Sequence, residues 1–311
     1  MTSPALRVIA AGDPHQDARK LRLFFNDCSS LSADLFLLQG DYLAQHERDK
    51  KNAAKAIAEI FSPLTNFEKP FLALGGNYEP VGSPFLAVKQ LNNGLLRSIG
   101  SSDEEASTGG TLKLSGFTII GVDGSNPING DHPGERSEQD LLEVLTRTLP
   151  QDVSPNSLIL ITHPPPYNSG KRDELGVFGL PQSYWGKHVG SESIARIIAS
   201  HKPLLHPCGH VHEGVGLTIY DWRQNGRVSH DIPMKAYERF LVQVPNDSPV
   251  TLCLNIGSLE QWVYFSIEIR RDATSSHLDI EKRRLGGKDA LSRFLDSIVA
   301  RGKVYDRVIK C

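Results

Sequence analysis

Five short segments of this 311-residue chain carry side chains suited to holding metal ions: Asp13-x-His15, Gly40-Asp41, Gly76-Asn77, His163 and Gly209-His210-Val211-His212. Together they offer two Asp, one Asn and four His, with no thiolate among them. Mixed oxygen and imidazole donors suit Mn, Fe or Zn better than Ca or a Cys-rich structural zinc site. Seven ligands exceed what one first-row ion holds. With one carboxylate bridging, they match two ions about 3.5–4 Å apart. Each segment alone has a plainer reading. Gly-Asp after a strand is a turn or a helix cap, Asn77 a turn residue, and His163 a loop residue before three prolines. Their joint placement is what argues for a metal centre.

Such a set needs a scaffold that joins residues from position 13 to position 212. Each segment follows a short apolar run, at residues 6–11, 34–38, 71–74, 158–161 and 203–205. Runs of this length bounded by turn signals read as buried strands. Helix-like stretches at 15–29, 47–61, 84–92, 137–149 and 191–200 alternate with them, with Ser137 and Ser191 as N-caps. The alternation predicts a largely parallel sheet in an α/β fold. Parallel neighbours share one carboxyl rim, where ligands bind in such sheets. Residues 111–114, 117–122, 215–220, 239–244, 251–256, 262–270 and 277–282 are strand-like and joined by turns. They predict a second, more antiparallel sheet, with a hairpin signal at Gln224-Asn225-Gly226. Long irregular segments at 98–110, 123–136 and 164–190 read as functional or mobile loops. A helix over 289–300 closes the chain. No linker interrupts it. The expected organisation is one domain over 1–311, with a core at about 6–284 and a C-terminal helical extension at about 285–311.

The composition bounds the class. Lys plus Arg number 34 against 36 Asp plus Glu, a net charge of −2, with 39% hydrophobic residues. This is a soluble globular composition, and it argues against a strongly basic nucleic-acid or membrane-surface binder. A local basic patch, and so a nucleic-acid substrate, stays open. No apolar run reaches the roughly 18 residues of a membrane span, and the first residues lack a signal-peptide pattern. The expected location is the cytoplasm, with no membrane partner. Cys28, Cys208, Cys253 and Cys311 are scattered without a CxxC pair and read as reduced thiols, Cys208 as small buried filler.

In order, GDPH, GD, GGNYE, THPPP and GHVHEG resemble the motifs D-x-H, G-D, G-N-H-[D/E], H and G-H-x-H of the calcineurin-like metallophosphoesterase superfamily. The resemblance spans about residues 6–260 and takes in Asn255-Ile256-Gly257-Ser258. It implies a four-layer α/β/β/α sandwich of two mixed sheets flanked by helices. It implies Asp13, His15 and His212 around one ion, Asn77, His163 and His210 around a second, and Asp41 bridging them. Glu79 would support the turn. The implied cofactors are two divalent ions (Mn, Fe or Zn, with Mn the first choice in vitro). The implied reaction is hydrolysis of a phosphodiester or phosphomonoester by a hydroxide bridging them. A phosphorylated small molecule or nucleotide is the expected substrate, because no basic and aromatic stripe marks a polymer track. Oligomeric state is not specified.

The match departs at Tyr78, where the family has a His that contacts phosphate and helps protonate the leaving group. Tyrosine, with a reference pKa of about 10, is a poor proton shuttle at neutral pH. Tyr78 itself, His132 and His188 are the candidates for proton donor or phosphate contact, and His46, at an expected helix start, is a further one that reads more simply as a surface residue. The alternatives are a substrate with a good leaving group, or a weakly active or inactive scaffold of this fold that binds a protein partner. Arg136, Lys171, Arg172 and Lys187 lie in the long loops and read as solvated charges, or else as contacts to an anionic substrate.

Overall fold

The computed structural model describes residues 5–43, 50–62, 71–82, 96–98, 109–127, 132–174, 186–224, 227–234, 239–285 and 306–310. Apolar runs that alternate nowhere need cover on both faces. β1 (Ala5–Gly12), β2 (Leu35–Gln39), β3 (Phe71–Leu74) and β4 (Leu96–Ser98) lie side by side and parallel. β5 (Gly109–Leu114) turns back onto β6 (Phe117–Val122), which is parallel to β7 (Leu158–Thr162). β7 is in turn parallel to β8 (Leu205–Cys208). Then come β9 (Gly216–Asp221), β10 (Arg227–Pro233), β11 (Arg239–Pro245), β12 (Val250–Asn255), β13 (Val263–Arg271), β14 (Ser275–Arg284) and β15 (Asp306–Lys310).

These later strands do not make a sheet of their own, which corrects the division expected from local pattern. Among the described residues one sheet runs β15-β11-β14-β13-β1-β2-β3-β4 and the other β10-β9-β12-β8-β7-β6-β5. Each is mixed. β13 joins the open edge of β1 antiparallel, and β12 joins β8 parallel. An apolar run specifies that both faces are buried, not which edge it will join.

Side-chain alternation sorts the layers. Val8, Ala10, Leu35, Leu37 and Leu72 face Phe117, Ile119, Ile159, Ile161 and Leu252 in the gap between the sheets. Their neighbours Ile9, Ala11, Phe36, Leu38 and Phe71 pack under α1 (Ala18–Ser29) and α2 (Lys50–Phe61). Ile120, Val122, Leu158 and Leu160 pack under α3 (Glu138–Thr148) and α4 (Glu192–His201). The result is helix, sheet, sheet, helix, as the resemblance implied. Ser137 and Ser191 cap α3 and α4 by accepting from the amides of Asp140 and Ile194. Each such cap stabilises its helix by about 1 kcal/mol.

Three local readings shift. α1 starts at Ala18 rather than near 15, because Asp13, His15 and Gln16 adopt positive φ and Asp17 supplies the cap. β8 covers Leu205–Cys208 rather than 203–205; its polar His206 is satisfied inside the sheet by Thr162 Oγ1 at 2.8 Å. In the expected C-terminal helical extension, 306–310 is instead a strand paired parallel with β11, with the β-branched Val308 and Ile309 at its centre. The expected helices at 84–92 and 289–300, the tip of the hairpin at 225–226 and His46 lie outside the described residues. No helix among the described residues is long and apolar enough to cross a membrane.

Gln39, fully buried at the end of β2, links the sheets. Its Nε2 donates to the carbonyls of Thr162 (3.2 Å) and Pro207 (2.8 Å), at the carboxyl end of β7 and within β8. The rims of both sheets are thereby brought to one place.

Candidate metal centre

The turns beyond these strand ends are woven together by backbone hydrogen bonds. His15 N donates to Asp41 O (2.9 Å), Gly40 N to Leu74 O (2.8 Å), Gly134 N to Asn77 O (2.9 Å) and Gly209 N to His163 O (2.8 Å). Four of the seven expected ligands, Asp13, His15, Asp41 and His210, sit at positive φ. Such conformations cost energy in non-glycine residues and gather at functional sites. Gly40 and Gly76 are required by space. A Cβ on Gly40 would lie 2.4 Å from His163 Nδ1, and one on Gly76 would lie 2.2 Å from Asp41 Oδ1.

All seven expected ligands converge, in two subsets. Asp13 Oδ2 lies 3.1 Å from His212 Nε2, which lies 3.4 Å from His15 Nε2. Asp41, His163 and His210 form the second subset with Asn77. His163 spans both, with Nδ1 3.5 Å from Asp13 Oδ1 and Nε2 3.4 Å from Asp41 Oδ2. Asn77 Oδ1 lies 3.1 Å from His163 Nε2 and 3.0 Å from His210 Nδ1. The same end of that amide is 3.0 and 3.1 Å from the two Asp41 oxygens. With the oxygen inward, it faces the acceptor-only Asp41 carboxylate with no proton between them, a condition that a cation relieves. Asp13 Oδ1, His163 Nδ1 and His210 Nε2 are buried and make no hydrogen bond. The donor set therefore fits divalent ions of the Mn, Fe or Zn type.

The electrostatics point the same way. Burial works against charge on His163, but the Asp41 and Asp13 carboxylates outweigh it and hold its pKa up at about 9. Burial and then the neighbouring His163 push His210 down to about 3. Asp41, despite burial, is held well below the usual carboxylate range by His163, His15 and His210. The carboxylates thus draw positive charge into the cleft.

Around the ligands stands a buried frame. Ser258 Oγ donates to Asp13 O (2.7 Å), and Asn255 Nδ2 donates to Val211 O (2.9 Å), so the Asn255–Ser258 turn holds two ligand loops. Asp123, which the sequence reading passed over, accepts from Gly75 N at 2.8 Å. Its place directly after the β6 run is the signal that could have found it. Burial pushes Asp123 up to about 7. A carboxyl with a higher pKa folded than unfolded binds its proton more tightly in the folded state. That stabilisation is present at low pH and is lost as pH rises from the unfolded value of 3.8 through about 7. Asp123→Asn should flatten the urea midpoint across this window and exceed the parent at about pH 8. A midpoint that falls with pH as steeply as the parent's would contradict the assignment.

The candidate proton donors part company. Tyr78 packs edge-on between His15 (5.3 Å between centroids) and His132 (4.9 Å), and its amide donates to Asp41 Oδ1. His132 is thus brought to the centre. His188 is instead engaged with Asp173 Oδ1 at 2.9 Å and the Tyr167 ring. Arg172 corrects its sequence reading. It is 1% exposed and pairs with Asp231 at 3.1 Å, so it is neither a solvated charge nor open to substrate. Lys171 is held by Glu174.

Two facing mixed sheets with helices outside, and an oxygen–imidazole donor set on their shared rim, define a metal-dependent phosphoesterase. The family model for calcineurin-like phosphoesterases matches residues 6–214, and the chain belongs to that family of phosphoester hydrolases. No curated protein matches it. One solved structure shares the fold at TM-score 0.57 and 15% identity, over 85% of this chain and 95% of that one. The protein TT1561 of Thermus thermophilus is also similar, at TM-score 0.49 and 15% identity over 86% and 94% of the two chains. So is a dimetal phosphatase from Danio rerio, at TM-score 0.47 and 11% identity over 89% and 99%.

Proposed function

We propose that this protein hydrolyses a phosphodiester or phosphomonoester of a small molecule or nucleotide with the help of two divalent ions. Asp13, His15 and His212 would hold one ion, and Asn77, His163 and His210 the other, with Asp41 shared. The observation that carries this reading is the Asn77 amide, whose one end faces two imidazole nitrogens and a carboxylate within 3.1 Å. Ions bound there supply the Lewis acidity that activates water and offsets charge on the phosphoryl oxygens. The remaining work falls to the chain. Glu79, Gln39 and Asn255 keep the loops fixed, so the donors need no rearrangement when substrate arrives.

Protein with added Mn²⁺ is expected to hydrolyse a chromogenic phosphodiester or monoester. Inertness of the Mn²⁺-loaded protein on a broad panel of both would defeat this reading.

Tyr78 leaves proton donation to a neighbour, and His132 is the one beside it. His132→Ala should lower kcat on an alkyl phosphate ester by about 10²-fold or more, the usual scale of general acid catalysis. A nitrophenyl ester, whose leaving group needs no proton, should lose little. Equal losses on the two esters would assign His132 a structural role instead. Tyr78→His should raise kcat on the alkyl ester.

A further inference from the structure

We propose that His206, Cys208 and Cys253 form a third metal site, for one thiophilic d¹⁰ cation such as Cu(I) or Zn(II), beneath the rim that carries the other donors. The proposal does not depend on the reading of that rim. β8 and β12 are parallel neighbours, with Cys253 opposite His206 and Asn255 opposite Cys208. All three side chains are fully buried. Cys208 Sγ lies 3.8 Å from Cys253 Sγ, and Cys253 Sγ lies 3.5 Å from His206 Nδ1. Metal–sulfur bonds of about 2.3 Å and metal–nitrogen bonds of about 2.0–2.1 Å space such ligand atoms about 3.5–4 Å apart. Those two spacings are already those of a ligand set, and one donor atom from each of the three residues lies within 4.8 Å of the other two.

The imidazole is oriented for the role. Thr162 Oγ1 donates to Pro164 O (2.8 Å), so toward His206 Nε2, also at 2.8 Å, it can only accept. The proton of His206 is thereby placed on Nε2, and Nδ1 presents its lone pair to the thiols. An outer hydrogen bond of this kind commonly fixes the tautomer of a metal-binding histidine. No oxygen donor belongs to the set, and soft thiolates select Cu(I) or Zn over Mn and Mg. On binding, the Cys208 and Cys253 S–H bonds break, two metal–sulfur bonds form, and two protons leave to solvent. No electron is transferred. The thiolate charge is offset by the cation and by the buried Arg172 guanidinium, which acts on both thiols and whose Nε and Nη1 make no hydrogen bond.

The competing arrangement is a plain thiol chain, with Cys253 donating to His206 Nδ1 and Cys208 to Leu254 O at 3.7 Å. Cobalt separates the two. Protein produced in cobalt-supplemented medium should hold a third ion and show a sulfur-to-cobalt charge-transfer band in the near ultraviolet. The oxygen–imidazole rim cannot produce that band. Asp41→Asn should keep the band, whereas Cys208→Ala and Cys253→Ala should each lose it. Thus failure of the rim reading and failure of this one are separately visible. Metal analysis and X-ray absorption of the protein as purified distinguish copper from zinc, each expected with two sulfur neighbours. Absence of the band in the wild-type protein, with no metal beyond two per chain, overturns the proposal even if neither Cys variant folds. Survival of the band in both Cys variants overturns it equally.

Discussion

Asp41→Asn is expected to abolish phosphoester hydrolysis, with kcat lowered at least about 10³-fold and the fold retained. Such a loss corresponds to about 4 kcal/mol of transition-state stabilisation, the scale of removing one well-placed electrostatic partner. The reason lies in the surroundings of Asp41. Its carboxylate faces His163 at 3.4 Å and one end of the Asn77 amide at 3.0–3.1 Å, and it accepts from the Tyr78 amide at 3.1 Å. Among the seven donors it is the one expected to be shared by both ions. An amide keeps the shape but loses the charge. The backbone does not object, since Asp41 has φ of 50° and Asn tolerates the left-handed region well. Steady-state assays with saturating Mn²⁺, paired with far-UV circular dichroism, check both halves. Activity within tenfold of the parent, in a folded variant, would sink the idea of a shared carboxylate.

The largest effect on stability is expected at Glu79. This side chain is buried at 1% exposure and reaches no solvent. Its Oε2 accepts from the amides of Asp41 and Gly76, both at 2.8 Å, and its Oε1 accepts from Leu43 N at 2.9 Å. One carboxylate therefore closes the turns after β2 and β3 onto each other. Burial and then the nearby Asp41 push its pKa up to about 8, so the neutral carboxyl, which can still accept from all three amides, is favoured near neutral pH. Glu79→Ala would strand three buried amides. At about 1–3 kcal/mol for each unsatisfied group, with partial rehydration, the expected loss is about 3–5 kcal/mol. Glu79→Gln keeps one oxygen for Asp41 and Gly76 and turns its amide against Leu43, so it should lose less. Urea denaturation orders the three proteins as parent, Gln, then Ala. A Glu79→Ala midpoint equal to the parent's would show that the two turns are held by other contacts. Because Asp41 and Asn77 flank this carboxylate, hydrolysis should fall in both variants.

Much of the centre was legible from local pattern. Each donor follows an apolar run and a small residue or turn, and that spacing depends only on neighbours in the chain. The capping serines of α3 and α4 were readable for the same reason. Less legible was the frame. Gln39 looks like an ordinary polar residue at a strand end, yet it ties β2 to β7 and β8. Arg172 looks like a loop cation, yet it is buried against Asp231. His132 and His188 were both candidates in the sequence, and the packing of Tyr78 sets them apart.

The sequence by itself determined the donor types, their order along the chain and the strand-and-turn units that carry them. It also determined that both faces of those strands are covered, because their apolar runs leave no polar side. Tertiary structure alone decided that the ligand strands divide between two sheets, with the later strands shared out to both. It also decided the positive φ at Asp13, His15, Asp41 and His210, and the meeting of Cys208 with Cys253. The physical reason is one of range. Side-chain periodicity and turn chemistry act over a few residues. Edge pairing, backbone strain and thiol contact are set by segments dozens to hundreds of residues apart, whose relative placement no local pattern encodes.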